Sequence, residues 1–215
     1  MEAIKKQINY CYLLITLLAL SSCAYDKAEP KPRFPDSIIY MNIQDTTMTT
    51  IRGGVGIYFY PSDSSASFSF DADGDGINDL SIGLGHSIQP TGYPGVHDVY
   101  YSIGAGVFNS SNGISFSGNS GWNSNATIFP HGGLINNSLS YNTQASMYLR
   151  GQYYGNYVSY GSLSGDQYIG FRIYKNSSYY YGWVLVSMND FFSLTVKEWA
   201  INNTAGNPIH AGQTQ

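Results

Sequence analysis

Nine residues, Asp71-Ala72-Asp73-Gly74-Asp75-Gly76-Ile77-Asn78-Asp79, gather four carboxylates around a glycine turn. In a twelve-residue calcium loop, oxygens come from positions one, three, five and nine and from the backbone carbonyl at seven, with glycine at six. On this chain those ligands are Asp71, Asp73, Asp75, Asp79 and the carbonyl of Ile77, with Gly76 in the turning slot. Like charges ~4 Å apart repel by ~1 kcal/mol in water and ~4 kcal/mol near a protein surface, so carboxylates this close call for a cation or an open loop. A donor set without His or Cys selects Ca2+ over zinc, and magnesium is disfavoured by its stricter octahedral geometry. The alternative is a solvated Asp-Gly hairpin turn that holds no ion.

Position twelve, where helix–loop–helix sites place a bidentate Glu, is Ile82, and the flanks Ser67–Phe70 and Leu80-Ser81-Ile82 are strand-like. The segment therefore resembles the strand–loop–strand calcium sites of integrin-type FG-GAP repeats. Such repeats build propellers in sets. One copy without a 50-residue period does not predict a propeller here. A loop that joins two strands implies an ion that braces the fold, a structural Ca2+.

Other chemistry-bearing residues are dispersed. His86, His97, His131 and His210 are scattered, with no His-x-x-x-His, and the chain has no Gly-x-Ser-x-Gly elbow. No catalytic residue is assigned. The alternative function is a glycan-active hydrolase whose site is assembled from Asp98, Asp166, Asp190 or Glu198 with a histidine, since carboxylate separation is a spatial fact. Tyrosine is abundant, at 20 residues. Tyr153, Tyr154, Tyr157 and Tyr160 fall in a Gly/Asn/Ser-rich stretch, and Tyr179, Tyr180 and Tyr181 stand beside the turn Asn176-Ser177-Ser178. Rigid rings with a hydroxyl suit glycan or protein ligands, so Tyr153, Tyr154, Tyr157, Tyr179 and Tyr180 are candidate binding residues. The competing reading is that tyrosine is a good strand former that half-buries on a solvated sheet.

These residues must be positioned by strands. Alternating runs recur at Ile38–Ile43, Val55–Tyr60, Ser67–Phe70, Val99–Ile103, Gln144–Leu149, Tyr168–Tyr174, Tyr181–Val186 and Leu194–Ala200. No stretch shows apolar residues at helical spacing over three turns. A period of two implies one buried face and one wet face, as in antiparallel sheets. The expected fold is all-β, a single-domain antiparallel β-sandwich or jelly roll. Long loops with short strands are expected between Phe108 and Ser140.

The N-terminus carries an address. Lys5 and Lys6 precede the apolar run Tyr12–Leu20, too short to span a bilayer and suited to the core of a secretory signal. It closes on Leu20-Ser21-Ser22-Cys23, which resembles the bacterial lipobox. The resemblance implies a lipoprotein signal peptide over 1–22 and acylation of Cys23, palmitate included. Two or three acyl chains hold firmly, because each buried methylene contributes ~0.8 kcal/mol. Residues 23–35, charged and proline-rich, then read as the lipidated Cys and an extended tether, and 36–215 as the domain. The implied location is the bacterial cell envelope, at the outer membrane or cell surface, with the membrane as partner through the lipid.

Loss of residues 1–22 removes Cys11, Glu2, Lys5 and Lys6. It leaves no thiol to pair with Cys23, and 13 acidic against eight basic side chains, a net of −5. A disulfide and thiolate catalysis are thereby excluded from the mature chain, and without a basic cluster nucleic acid is not an expected partner. The segments Asp166–Ile173, Tyr181–Val186, Leu194–Ala200 and Pro208–Gly212 are similar to the closing part of a broad group of bacterial exported proteins with one upstream Asp-rich DGDG loop. That resemblance implies a single β domain ending near Gly212 and no particular activity. The expected function is a surface-exposed, non-enzymatic binding or structural module.

Overall fold

The computed structural model describes residues 37–50, 64–90, 97–117, 125–153, 156–161, 165–190 and 192–215. The predicted strand Val55–Tyr60, the signal, Cys23 and the tether lie outside them. The described residues contain no helix. The first seven strands are β1 (Ile38–Thr49), β2 (Ser64–Phe70), β3 (Leu80–Pro90), β4 (His97–Val107), β5 (Gly113–Ser117), β6 (Asn125–Ala126) and β7 (Ile128–Phe129). The remainder are β8 (Leu134–Ile135), β9 (Tyr141–Asn142), β10 (Gln144–Tyr153), β11 (Asn156–Gly161), β12 (Gly165–Lys175), β13 (Ser178–Asp190), β14 (Ser193–Asn202) and β15 (Ile209–His210).

One large sheet runs β1-β14-β13-β12-β5-β6-β10-β4-β3-β2, with β11 added to β10, β7 to β12 and β9 to β5. The short strands β5 and β6 are the fold line. They bring the β1–β14–β13–β12 half over the β10–β4–β3–β2 half, so the sheet nearly closes on itself around one core. Phe70 of β2 marks the junction. It stacks on Trp199 of β14 at 5.4 Å between ring centroids and meets Phe171 of β12 edge-on at 6.2 Å. Leu80, Ile82, Leu84, Ile103 and Met147 from one half fill the same core as Ile169, Ile173, Val184, Val196 and Ile201 from the other. The all-β, single-domain expectation holds, and the short strands β5–β8 occupy the predicted loop-rich middle.

Two details depart from the simple antiparallel picture. The β6–β10 pair is parallel, with Ser146 opposite Asn125, so the sheet is mixed. In β13, Tyr181 through Ser187 are all buried, not alternately so. The reason is a second apolar layer. Tyr181, Trp183 and Leu185 point away from the main core and pack with Phe129, Ile135, Ile209 and Ala211. That cover is held by β15 against β8, and the Trp183 indole N–H donates to the carbonyl of Gln213 at 3.1 Å. A strand covered on both faces reads as a continuous hydrophobic run.

Gly182 lies between these layers because only glycine fits there. A Cβ on it would stand 2.6 Å from the Ala200 carbonyl oxygen and would enter the Phe171 ring. β1 carries a bulge between Asn42 and Thr46, where Gln44 and Asp45 have positive φ. Its pairing with β14 resumes at Thr46, and Thr47 meets Thr195 through their hydroxyls at 2.9 Å.

Candidate metal centre

The acidic segment is the connection between β2 and β3. Phe70 and Leu80 pair at its mouth, and the Asp79 N–H donates to the Phe70 carbonyl at 3.0 Å, closing the loop. Gly74 and Gly76 turn the chain at φ of 77° and 88°, a region that side chains disfavour. The turn aims successive N–H groups at one carboxylate. Asp71 Oδ1 accepts from the backbones of Asp73, Gly74 and Asp75 at 3.2, 2.7 and 3.2 Å, and its Oδ2 accepts from Gly76 at 2.6 Å. Asp75 Oδ1 accepts from the Ile77 N–H at 2.8 Å.

Asp79 closes the ring from the other end. Its Oδ2 accepts from the Ala72 N–H at 3.0 Å, and its Oδ1 from Asn112 Nδ2 at 3.3 Å. Ala72 is fully buried, so this end of the loop is anchored in the core. Asn112, also buried, accepts from the Tyr174 N–H through its Oδ1 at 2.8 Å. One amide thus ties the loop to β12. A second tie comes from Lys175, whose Nζ lies 2.7 Å from Asp73 Oδ2.

The electrostatics divide the carboxylates. For Asp71, burial works against ionisation, but the N–H groups of Gly76, Gly74, Asp75 and Asp73 outweigh it and hold the acid below its ordinary range. For Asp79, burial dominates; the Ala72 N–H offsets part of it, and the charges of Asp73, Asp75 and Asp71 add to it, pushing the acid up to about 6. Its bond to Asp73 raises the Lys175 ammonium above its usual value. One lysine against four carboxylates leaves the loop short of positive charge.

One oxygen from each of Asp71, Asp73 and Asp79 lies within 4.8 Å of the others. Among the described residues no other three His, Cys, Asp or Glu converge in this way. Asp75 and Ile77 stand outside that trio, and Ile77 is 69% exposed. Three hard oxygens, a deficit of positive charge and a carboxyl that resists ionising without a counter-ion fit a metal cation. Asn112 and Lys175 are the partners that sequence reading missed. Neither carries a local motif, and both are far from the loop in the chain.

Among the described residues, the remaining candidates are not brought together. Among the tyrosines, Tyr154 lies outside the described residues, as do the side chains of Tyr153 and Tyr157, whose backbones close the β10–β11 hairpin. Tyr179 and Tyr180 separate to opposite faces, Tyr179 into the outer layer and Tyr180 against the main core. Asp166 pairs with Lys197 at 2.9 Å, Glu198 accepts from the Tyr40 hydroxyl, and Asp190 accepts from the Phe192 N–H at 2.8 Å. The His210 ring contacts the Gly132 carbonyl at 2.9 Å, and His131 stands edge-on to Tyr168. The Asp98 and His97 side chains lie outside the described residues. No family model, no curated protein and no solved structure matches the chain.

Proposed function

We propose that the chain is a bacterial cell-envelope lipoprotein, anchored through Cys23, whose β domain is a non-enzymatic binding or structural module braced by one Ca2+. The observation that carries the ion is the convergence of Asp71, Asp73 and Asp79 at the mouth of a closed β hairpin. Calcium, which tolerates irregular coordination, suits this oxygen-only site better than magnesium, and Asp75 and the Ile77 carbonyl would complete the shell on a modest turn of the loop. Placed between β2, β3 and the end of β12, the ion would pin strands from both halves of the sheet. Asp166, Asp190 and Glu198 each engage a neighbour of their own, which favours a binding module over a hydrolase. The lipid anchor rests on Lys5, Lys6, the apolar run and Leu20–Cys23.

Melting the protein with calcium, with magnesium and with chelator tests the brace. At 100 times its Kd, calcium should stabilise the fold by ~2.7 kcal/mol. No shift relative to chelator would sink it. Mass spectrometry of the N-terminal peptide from cells tests the anchor; an unacylated Cys23 would remove it.

A further inference from the structure

Three basic side chains are described in the β domain, and two of them, Lys175 and Lys197, each hold an aspartate. The third, Arg172, holds none: among the described residues it has no ion pair, and its buried Nε has no hydrogen-bond partner. Its guanidinium instead lies over two tyrosine rings, 4.5 Å from the centroid of Tyr141 and 4.1 Å from that of Tyr179. An ammonium or guanidinium taken partly out of water without a counter-charge is costly, and a leucine would pack the same place without that cost.

The surroundings hold the group in place. Arg172 sits on the outer face of β12, opposite Gly113 of β5 and Tyr181 of β13. A Cβ on Gly113 would stand 2.8 Å from the Cβ of Tyr141, so the glycine is what admits that ring beside the arginine. The Tyr141 hydroxyl is fixed in turn by donating to the Asn136 carbonyl at 2.8 Å. On the other side Tyr179 lies 5.0 Å from Tyr174, and Tyr174 is 40% exposed. With Nε buried and the ring faces occupied, the terminal amino groups are the donors left to offer. A planar fork of donors matches a two-oxygen acid group, and the exposed Tyr174 ring, with half-buried Tyr179 beside it, matches the flat side of a sugar ring.

We infer that Arg172, Tyr174 and Tyr179 form a binding site for an acidic saccharide, with the guanidinium taking the sugar's carboxylate or sulfate and the tyrosines its ring. This deepens the reading of the domain as a binding module and is independent of both the ion and the lipid. Titration calorimetry of the full chain in detergent with D-glucuronate, D-glucose 6-sulfate and D-glucose tests it. Either acidic sugar should bind, and the one that binds more tightly identifies the acid group; glucose should bind at least about tenfold more weakly, for want of the charge-assisted pair. Equal binding of glucose, or no binding of either acidic sugar, would overturn the site while leaving the calcium-dependent melting untouched.

Arg172→Lys keeps the charge and loses the fork, and should weaken the acidic sugar by about tenfold at an unchanged melting temperature. Should that variant fold poorly, Tyr174→Ala, at an exposed ring, provides the second reading through loss of sugar binding in a chain that melts normally. Unchanged affinity in folded Arg172→Lys or Tyr174→Ala counts against the assignment.

Discussion

Lys175, the last residue of β12, reaches the acidic loop and holds Asp73 at 2.7 Å, so one ammonium stands where a dication would draw the same oxygen. The Asp73 side chain is 7% exposed and the lysine 36%, which places the pair at the rim of the loop. A bound cation would compete with the lysine for Asp73. Replacing Lys175 with Met should tighten calcium by about fivefold, the effect of removing one partly screened charge worth roughly 1 kcal/mol. Competition with a chromophoric chelator measures it; unchanged affinity would mean that the lysine does not oppose the ion.

Asp79 makes stability depend on pH. Its acid is raised to about 6 from an ordinary 3.8, so the folded chain keeps this proton after the unfolded chain has lost it. The stability it contributes is complete below the ordinary value and is lost as pH rises through about 6. Asp71 and Asp166 are shifted downward and act oppositely, losing their contribution only at lower pH, as they are protonated. In chelator, Asp79→Asn should therefore be more stable than the native chain at pH 8 and no more stable at pH 4. Calcium requires the ionised acid, so its affinity should fall as pH drops through about 6. Chelator melts and calcium titrations across pH 4–8 check both signs.

Asn112 is a buried amide with two long-range duties, to Asp79 and to the Tyr174 N–H. Asn112→Ala leaves a part-buried backbone donor and a part-buried carboxylate oxygen without their partner, at a cost of about 2 kcal/mol. In a domain of this size that is a fall of ~4–8 °C in Tm. Calcium should also bind more weakly, since Asp79 loses one of its two anchors. A variant that melts as the native chain does would show that water replaces the amide.

Gly182→Ala drives a methyl group into the Ala200 carbonyl and the Phe171 ring. Both neighbours are fixed in the core, and overpacking of this kind costs about 3 kcal/mol. Denaturant unfolding should show a lower midpoint with the slope unchanged. A midpoint equal to that of the native chain would mean that β13 can slide away from β14.

The acidic loop was legible as a cluster because its carboxylates lie within nine consecutive residues, but spacing did not fix which of their oxygens converge. The trio that converges skips Asp75, a choice made by the Gly74 and Gly76 turns and not by spacing. Asn112 and Lys175 were not legible, because their roles depend on β5 and β12 being brought to the loop by the fold of the sheet. Alternation found strands at each predicted run that lies among the described residues and misread the second face of β13, whose cover comes from residues around Ile135 and Ile209. Tyr179 and Tyr180 were grouped as one candidate surface. Neighbours in a strand point to opposite faces, and in β13 one of them serves the core.

β1 is paired only by β14 among the described strands, and its Tyr40 finds Glu198 across a separation of 158 residues. During synthesis, therefore, the first described strand has no partner until nearly all the rest of the domain has emerged. Pairings this distant close slowly. Were the chain exported as proposed, that delay would leave it open for passage, with the sheet sealed only on the far side.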